Sequence, residues 1–302
     1  MKFRAHETFF IRKGWLSKGM KYVNQTDGEV FIDKEKNPMD MLGIGSNMVK
    51  SLRYWLLATG LTTEPSSGKR FQSFTDLGEL IYENDRYLEE NGTLQLLHYK
   101  LASNKDMATS WYFFFNEFNL FEFTQDDFIT GIKTFIKLNS EEDGKLSGTD
   151  RTLSDDFSCI VNTYYLKESV LKDANPENNI SCPFVELGLV NLLDAKKGIY
   201  KKSIPQVSDF NPYVVLAVIS DNAKGRKEIK LNELLHGTNN IGKIFNLDTI
   251  SMIELLRNAE KVGELKIIRT AGLDIIQLTN PELCFWDYAK KFYESLGEGR
   301  VK

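Results

Sequence analysis

Apolar and polar positions follow a helical period through the first quarter of the chain and then change to the period of short strands. From Trp15 to Val23, Leu16, Met20 and Val23 fall on one side of a first helix. Asn37 followed by Pro38 is an N-cap with proline at the first helical position, and it predicts a brief second helix from Met39 to Leu42 that Gly43 ends. After Gly43-Ile44-Gly45 a third helix runs from Ser46 to Thr59. At 100° per residue Met48, Val49, Leu52, Trp55 and Leu56 share one arc. Ser46, Lys50 and Arg53 lie opposite, with Asn47 and Tyr54 at their edge. Leu61 to Glu64 and Phe71 to Thr75 read as two strands around Pro65-Ser66-Ser67-Gly68-Lys69-Arg70. Three helices and a hairpin with a basic tip is the order of a winged helix-turn-helix, and it makes the third helix the recognition helix.

Helical patterns continue over 76–82, 93–102, 107–118 and 128–138, with an acidic, polar link ending at Asn91-Gly92. The polar stretch 140–150, SEEDGKLSGTD, carries two glycines and is the clearest loop. It divides the chain into an amino-terminal winged-helix module with a helical extension (1–140), a linker (141–150) and a carboxy-terminal helical and winged-helix domain (151–302). In the second part a helix over 155–167 precedes a hairpin of Leu189–Leu193 and Ile199–Ser203, and Asn211-Pro212 opens another helix. A strand at 228–231 and a short helix capped by Asn232 follow. The helix 249–262 has Ile250, Ile253 and Leu256 or Arg257 at helical spacing, and a hairpin turning at Ala271-Gly272 comes next. A helix over 281–296 closes the chain. The expected class is mostly α with minor β, two winged-helix modules joined by a helical middle region. No fixed-period repeat is present.

Of the 302 residues 42% are hydrophobic and 12% aromatic, which suffices for real cores. The formal net charge of -4 argues against a general polyanion binder. Charge is unevenly placed, however: Met1 to Thr75 holds twelve Lys or Arg against seven Asp or Glu. Within that basic quarter Ser46, Asn47, Lys50, Arg53 and Tyr54, with Lys69 and Arg70 on the wing, form a face suited to DNA. Arg and Asn pair with base edges in the major groove, and Lys and Ser hold phosphates. The alternative is a solvated face on a winged helix used for protein contacts. Lys224, Arg226 and Lys227 make a second basic loop that follows a backbone or is simply solvated. The helix after it mixes Glu254 and Glu260 with Arg257 and Lys261, which suits dimerisation or partner docking as well as DNA.

Signals for catalysis are sparse. His6, His98 and His236 are far apart, and Cys159, Cys182 and Cys284 form no CxxC pair, so the usual zinc spacings are excluded and a reducing cytoplasm is expected. No apolar run approaches a membrane span, and MKFRAHETFF has no continuous signal core, so neither export nor a membrane partner is expected. Two-metal nucleases need converging carboxylates on Mg²⁺ or Mn²⁺. Asp126-Asp127, Glu141 to Asp143 and Asp155-Asp156 are the acidic candidates. The first and last pairs stand where helices are expected to begin, and the helix dipole accounts for charge there. Asp194-Ala195-Lys196 is better explained by a turn. There is no Walker loop and no GxGxxG, so no nucleotide or organic cofactor is indicated, and the catalytic residues and metal ligands stay unassigned.

AHETFFIRKGWLSKG, LGIGSNMVKSLRYWLLATGL and LLHYKLASNKDMATSWYFFFNEF resemble the bacterial SspB-like family, long labelled a domain of unknown function. The resemblance spans most of the chain and is looser after Asp150. It implies a protein of a DNA phosphorothioation and anti-phage system, encoded beside a cysteine desulfurase and a sulfurtransferase as possible partners, and a component that nicks duplex DNA using a divalent metal. Of the matching residues, His6, Glu7, Asn47, Lys50, Arg53 and Tyr54 would serve DNA. The rival expectation is a non-catalytic winged-helix adaptor or transcriptional regulator; a homodimer is compatible with either.

Overall fold

α-Helices carry most of the chain, with three small antiparallel sheets between them. The computed structural model describes residues 1–33, 35–139, 148–165, 181–270 and 273–300. Helices α1 (Trp15–Gln25), α2 (Pro38–Leu42) and α3 (Ser46–Ala58) precede strands β1 (Thr62–Thr63) and β2 (Ser73–Phe74), which pair with each other. The Asn37 side chain accepts the Met39 amide, and Gly43 ends α2 at φ 62°, as the local signals predict. Gly28, at φ 82°, lets the hairpin close on α1: a Cβ there would stand 1.9 Å from the Gln72 carbonyl oxygen.

Helix α4 (Asp76–Asn84) is capped by Thr75, whose hydroxyl accepts the Gly78 amide. Helix α5 (Asn91–Ser103) is buried along most of its length. Asn91-Gly92 lies inside α5 and not in a link. Gly92 meets the Phe292 ring, which leaves no room for a side chain. Helix α6 (Thr109–Tyr112) widens into a π-helical turn, Phe113–Glu117, where the expected straight helix would have continued. The turn buries Phe113 and Phe114 against Phe118 and Phe128, with Phe123 beside Phe114, and sets Phe115 against Tyr164 and His98.

Strand β3 (Glu122–Phe123) and helix α7 (Gln125–Asn139) follow, and α8 (Asp150–Tyr164) starts at its Thr149 cap, five residues before the expected position. Most of the expected linker, with Glu141 to Asp143, lies outside the described residues, as does the Ala271-Gly272 turn. Strands β4 (Val190–Asp194) and β5 (Ile199–Lys202) form the predicted hairpin, and β3 adds to it in the order β3-β5-β4. Helices α9 (Pro212–Ala223), α10 (Leu231–His236), α11 (Ile241–Ile244) and α12 (Thr249–Lys261) then interleave with β6 (Glu228–Lys230), β7 (Leu265–Thr270) and β8 (Leu273–Leu278), ordered β6-β8-β7. Asn232 lies within α10 and does not cap it. Helix α12 buries Met252, Leu255, Leu256 and Ala259, whereas Ile250 in its first turn is 77% exposed, so the expected Ile250–Ile253 face is displaced. Helix α13 (Phe285–Arg300) lies against α9 and α4, and α5 contacts α9, so the two halves interlock.

His98 joins three of these elements. Its Nε2–H donates to the Ile244 carbonyl (2.9 Å), and its Nδ1 accepts the Tyr164 hydroxyl (2.8 Å). Burial pushes its pKa down to about 4, against the opposing effect of the Ile244 carbonyl. The unfolded chain therefore takes up this proton first, and stability falls as pH drops from about 6.5 towards 4, by up to ~1.4 kcal/mol per pH unit. In urea titrations across that window His98→Gln is expected to flatten the loss; an unchanged slope would remove His98 as its source.

Candidate nucleic-acid interface

A buried carboxylate anchors the amino-terminal arm beneath α3. Asp156, 1% exposed, accepts three donors: the Arg4 amide at 2.8 Å, His6 Nε2–H at 2.7 Å and the Ser110 hydroxyl at 2.5 Å. His6 Nδ1 accepts the Thr8 amide, so the ring proton sits on Nε2 and points at the carboxylate. This tight path holds Arg4, Glu7 and Thr8 at positive φ, a conformation that persists because the surrounding bonds over-determine it. The His6 ring stacks on Trp55 and meets the Trp111 ring edge-on. Trp55 Nε1–H and the Ser51 hydroxyl both donate to the Phe9 carbonyl.

Two expectations change here. Asp155 and Asp156 lie inside α8 and not at its start, so bonding to the arm, rather than a helix dipole, accounts for Asp156. His6 and Tyr54 are both buried, so neither belongs to the exposed face of α3. The Tyr54 hydroxyl donates to the Met107 carbonyl (3.1 Å), and burial, then the Asp156 charge, push its pKa well up. Tyr54 stood at the edge of the polar arc, and contact with the 107–112 region turned it inward.

The opposite side of α3 is open. Ser46, Asn47 and Lys50 are exposed, and the first turn has neither an acidic residue nor a side-chain cap. Arg53 is engaged: its Nε lies 2.6 Å from Glu64, and another nitrogen donates to the Arg70 carbonyl at 3.1 Å. Gln72 donates to the Arg53 carbonyl and to Glu64. Arg53 thus ties the β1–β2 loop to the helix, and that loop exposes Lys69 and Arg70, with Lys69 3.7 Å from Glu29. In the second basic loop Lys224 and Lys227 are exposed, while Arg226 is held by Glu233.

The remaining acidic candidates have local roles. Asp127 accepts the Thr124 amide and hydroxyl, and Asp194 accepts the amides of Lys196 and Lys197. Among the described residues no three His, Cys, Asp or Glu side chains are placed to hold a metal ion. Nor is any described helix long and apolar enough to cross a membrane. Sequence reasoning missed Lys202 altogether. Its Nζ is buried, donates to the Phe114 and Phe118 carbonyls at 2.6 and 2.5 Å, and closes the π-helical turn. Burial, reinforced by Lys243, pushes its pKa down to about 7. In the sequence Lys202 follows Lys201 in a four-residue strand and carries no signal of this environment.

The family model described as "Protein of unknown function (DUF4007)" matches residues 3–293. The solved structure called "SspB crystal structure" is 26% identical at a TM-score of 0.83, covering 97% of this chain and 88% of that one. "Magnesium ion-bound SspB crystal structure" is 27% identical at 0.81, with the same coverage. No curated protein matches.

Removing His6 leaves part of the Asp156 carboxylate unpaired in the interior. His6→Ala is expected to cost about 3 kcal/mol in urea unfolding. A loss below ~1 kcal/mol would mean that the arm is not anchored through this bond.

Proposed function

The chain belongs to the DUF4007 family, the SspB-like proteins, and from that membership we propose that it is a DNA-binding component of a DNA phosphorothioation system acting in the cytoplasm. The observation that carries this reading is the outward side of α3, where Ser46, Asn47 and Lys50 stand clear beside the loop bearing Lys69 and Arg70. We read α1 to β2 and α9 to β8 as winged-helix modules within 1–140 and 151–302; the element order and the strand order β6-β8-β7 support this. Asn47 is suited to a base edge and Lys50 to phosphate. The uncapped amides of the first turn add a favourable end for an anion. Arg53 acts through the loop it fixes.

In this reading a nick gives sulfur-installing partners, a cysteine desulfurase and a sulfurtransferase, access to the backbone. Mg²⁺ or Mn²⁺ is the ion such cleavage would use, and the described residues supply no ligand set that fits it. The residues named on α3 and its neighbouring loop are therefore assigned to binding. A second reading, an adaptor that brings partners to DNA, is favoured by α12, whose surface combines Glu254, Arg257 and the 77% exposed Ile250. That surface equally suits a second copy of the chain.

A supercoiled plasmid incubated with pure protein and Mn²⁺ separates the two. Relaxed circles that disappear with EDTA support nicking, and an intact plasmid with a clear gel shift supports the adaptor. Lys50→Ala should weaken duplex binding and reduce its salt slope by about 0.9, the value of one phosphate contact. Wild-type affinity and slope in that variant would overturn the α3 assignment.

A further inference from the structure

Alongside α1 runs a groove separate from the α3 surface. Two adjoining cavities of about 550 and 260 Å³ share Ser17 and Tyr87 as lining residues. One wall is the start and outer side of α1, with Arg12, Lys13 and Lys21. The other is the turn between α4 and α5, with Arg86 and Tyr87. Tyr87 is 63% exposed, and the Arg86 guanidinium lies 5.0 Å from the centre of its ring. The turn that presents them is fixed, because Asp85 accepts the amides of Glu89 (2.9 Å) and Glu90 (3.0 Å). Arg12 is held over the rings of Phe9 and Trp15. None of these four cations has a described carboxylate within ion-pair distance.

We propose that this groove binds single-stranded nucleic acid, with the backbone along Arg12, Lys13, Lys21 and Arg86 and a base stacked on Tyr87. Arginine and lysine bordering an open aromatic ring is the combination that holds a strand without reading its sequence. Both cavities fall within or below the size of small-ligand pockets, enough for individual nucleotides. Glu89 and Glu186 also line the larger cavity, whereas the smaller has no carboxylate. Within these two cavities four cations face two carboxylates, so the stretch along α1 is net positive in a chain of net charge -4. Beyond Arg86 and Tyr87 the lining turns acidic with Glu83, Asp85, Glu89 and Glu90, which bars the strand's path at that end. The inference rests on these residues alone and not on the reading of α3.

Fluorescence anisotropy with a labelled oligothymidylate and with a duplex tests it. Tyr87→Ala is expected to bind the oligothymidylate about tenfold more weakly, while Tyr87→Phe, which keeps the ring, stays within about twofold of wild type. Lys21→Ala combined with Arg86→Ala should flatten the single-strand salt slope by about 1.4, two contacts at ~0.7 each. Because these side chains are on the surface, all variants should keep the wild-type melting temperature and bind duplex within about twofold of wild type. Unchanged oligothymidylate binding in both Tyr87→Ala and the double variant overturns the proposal, as does wild-type preference for polyglutamate. Wild-type protein that binds duplex but not oligothymidylate overturns the groove and leaves α3 standing; the reverse result does the opposite.

Discussion

The Asp156 carboxylate is the point on which the amino-terminal half is built. A buried carboxylate is costly unless donors replace its water, and here a backbone amide and an imidazole of the arm and a hydroxyl of α6 do so. Because Arg4 and His6 come from the arm, satisfying the charge forces the arm across α8 and under α3. The arm then offers the Phe9 carbonyl to Ser51 and Trp55. One side of α3 is thereby consumed in contacts, and its rotation about its own axis is set. The side left over is the one that carries Ser46, Asn47 and Lys50.

Arg53 shows why charge alone does not define an interface. Its pair with Glu64 is partly solvated, with side-chain exposures of 27% and 14%, and such a pair contributes at most about 1 kcal/mol. Its larger effect is geometric. The guanidinium spans a carboxylate and the Arg70 carbonyl, while Gln72 returns a bond to the Arg53 carbonyl, so loop and helix move as one. For the proposed duplex contact, fixed spacing between Lys50 and the Lys69–Arg70 tip would matter more than one additional free cation.

Local signals were legible in the sequence. The Asn37-Pro38 start, the Gly43 stop and the inward arc of α3 depend on neighbours a few residues away, and the structure has all three. Contacts between distant residues were not. Glu122 pairs with Lys201 across the sheet, and His6 meets Asp156 at a separation of 150 residues. Neither partner has a sequence mark that distinguishes it from a surface residue. The same limit explains the candidate interface: Lys50, central in the polar arc, is exposed, whereas Tyr54 at its edge was decided by the Met107 carbonyl. The groove beside α1 was hidden for a related reason, since its two cationic walls come from segments some seventy residues apart and Pro183 and Glu186 come from a third.

The acidic balance of the whole chain is compatible with a polyanionic ligand once distance is considered. At physiological salt a charge is screened beyond about 8 Å, so carboxylates elsewhere on the molecule would scarcely oppose a phosphate at Lys50 in the proposed contact. They act earlier, during approach, by disfavouring encounters through any other face. Lys202, counted among the basic residues, contributes little to that field because it is buried against carbonyls and aromatic rings. Formal charge summed over the sequence therefore misstates the charge that any one face presents. What matters is how few cations remain unpaired at the surface, and on α3 the structure leaves Lys50 among them.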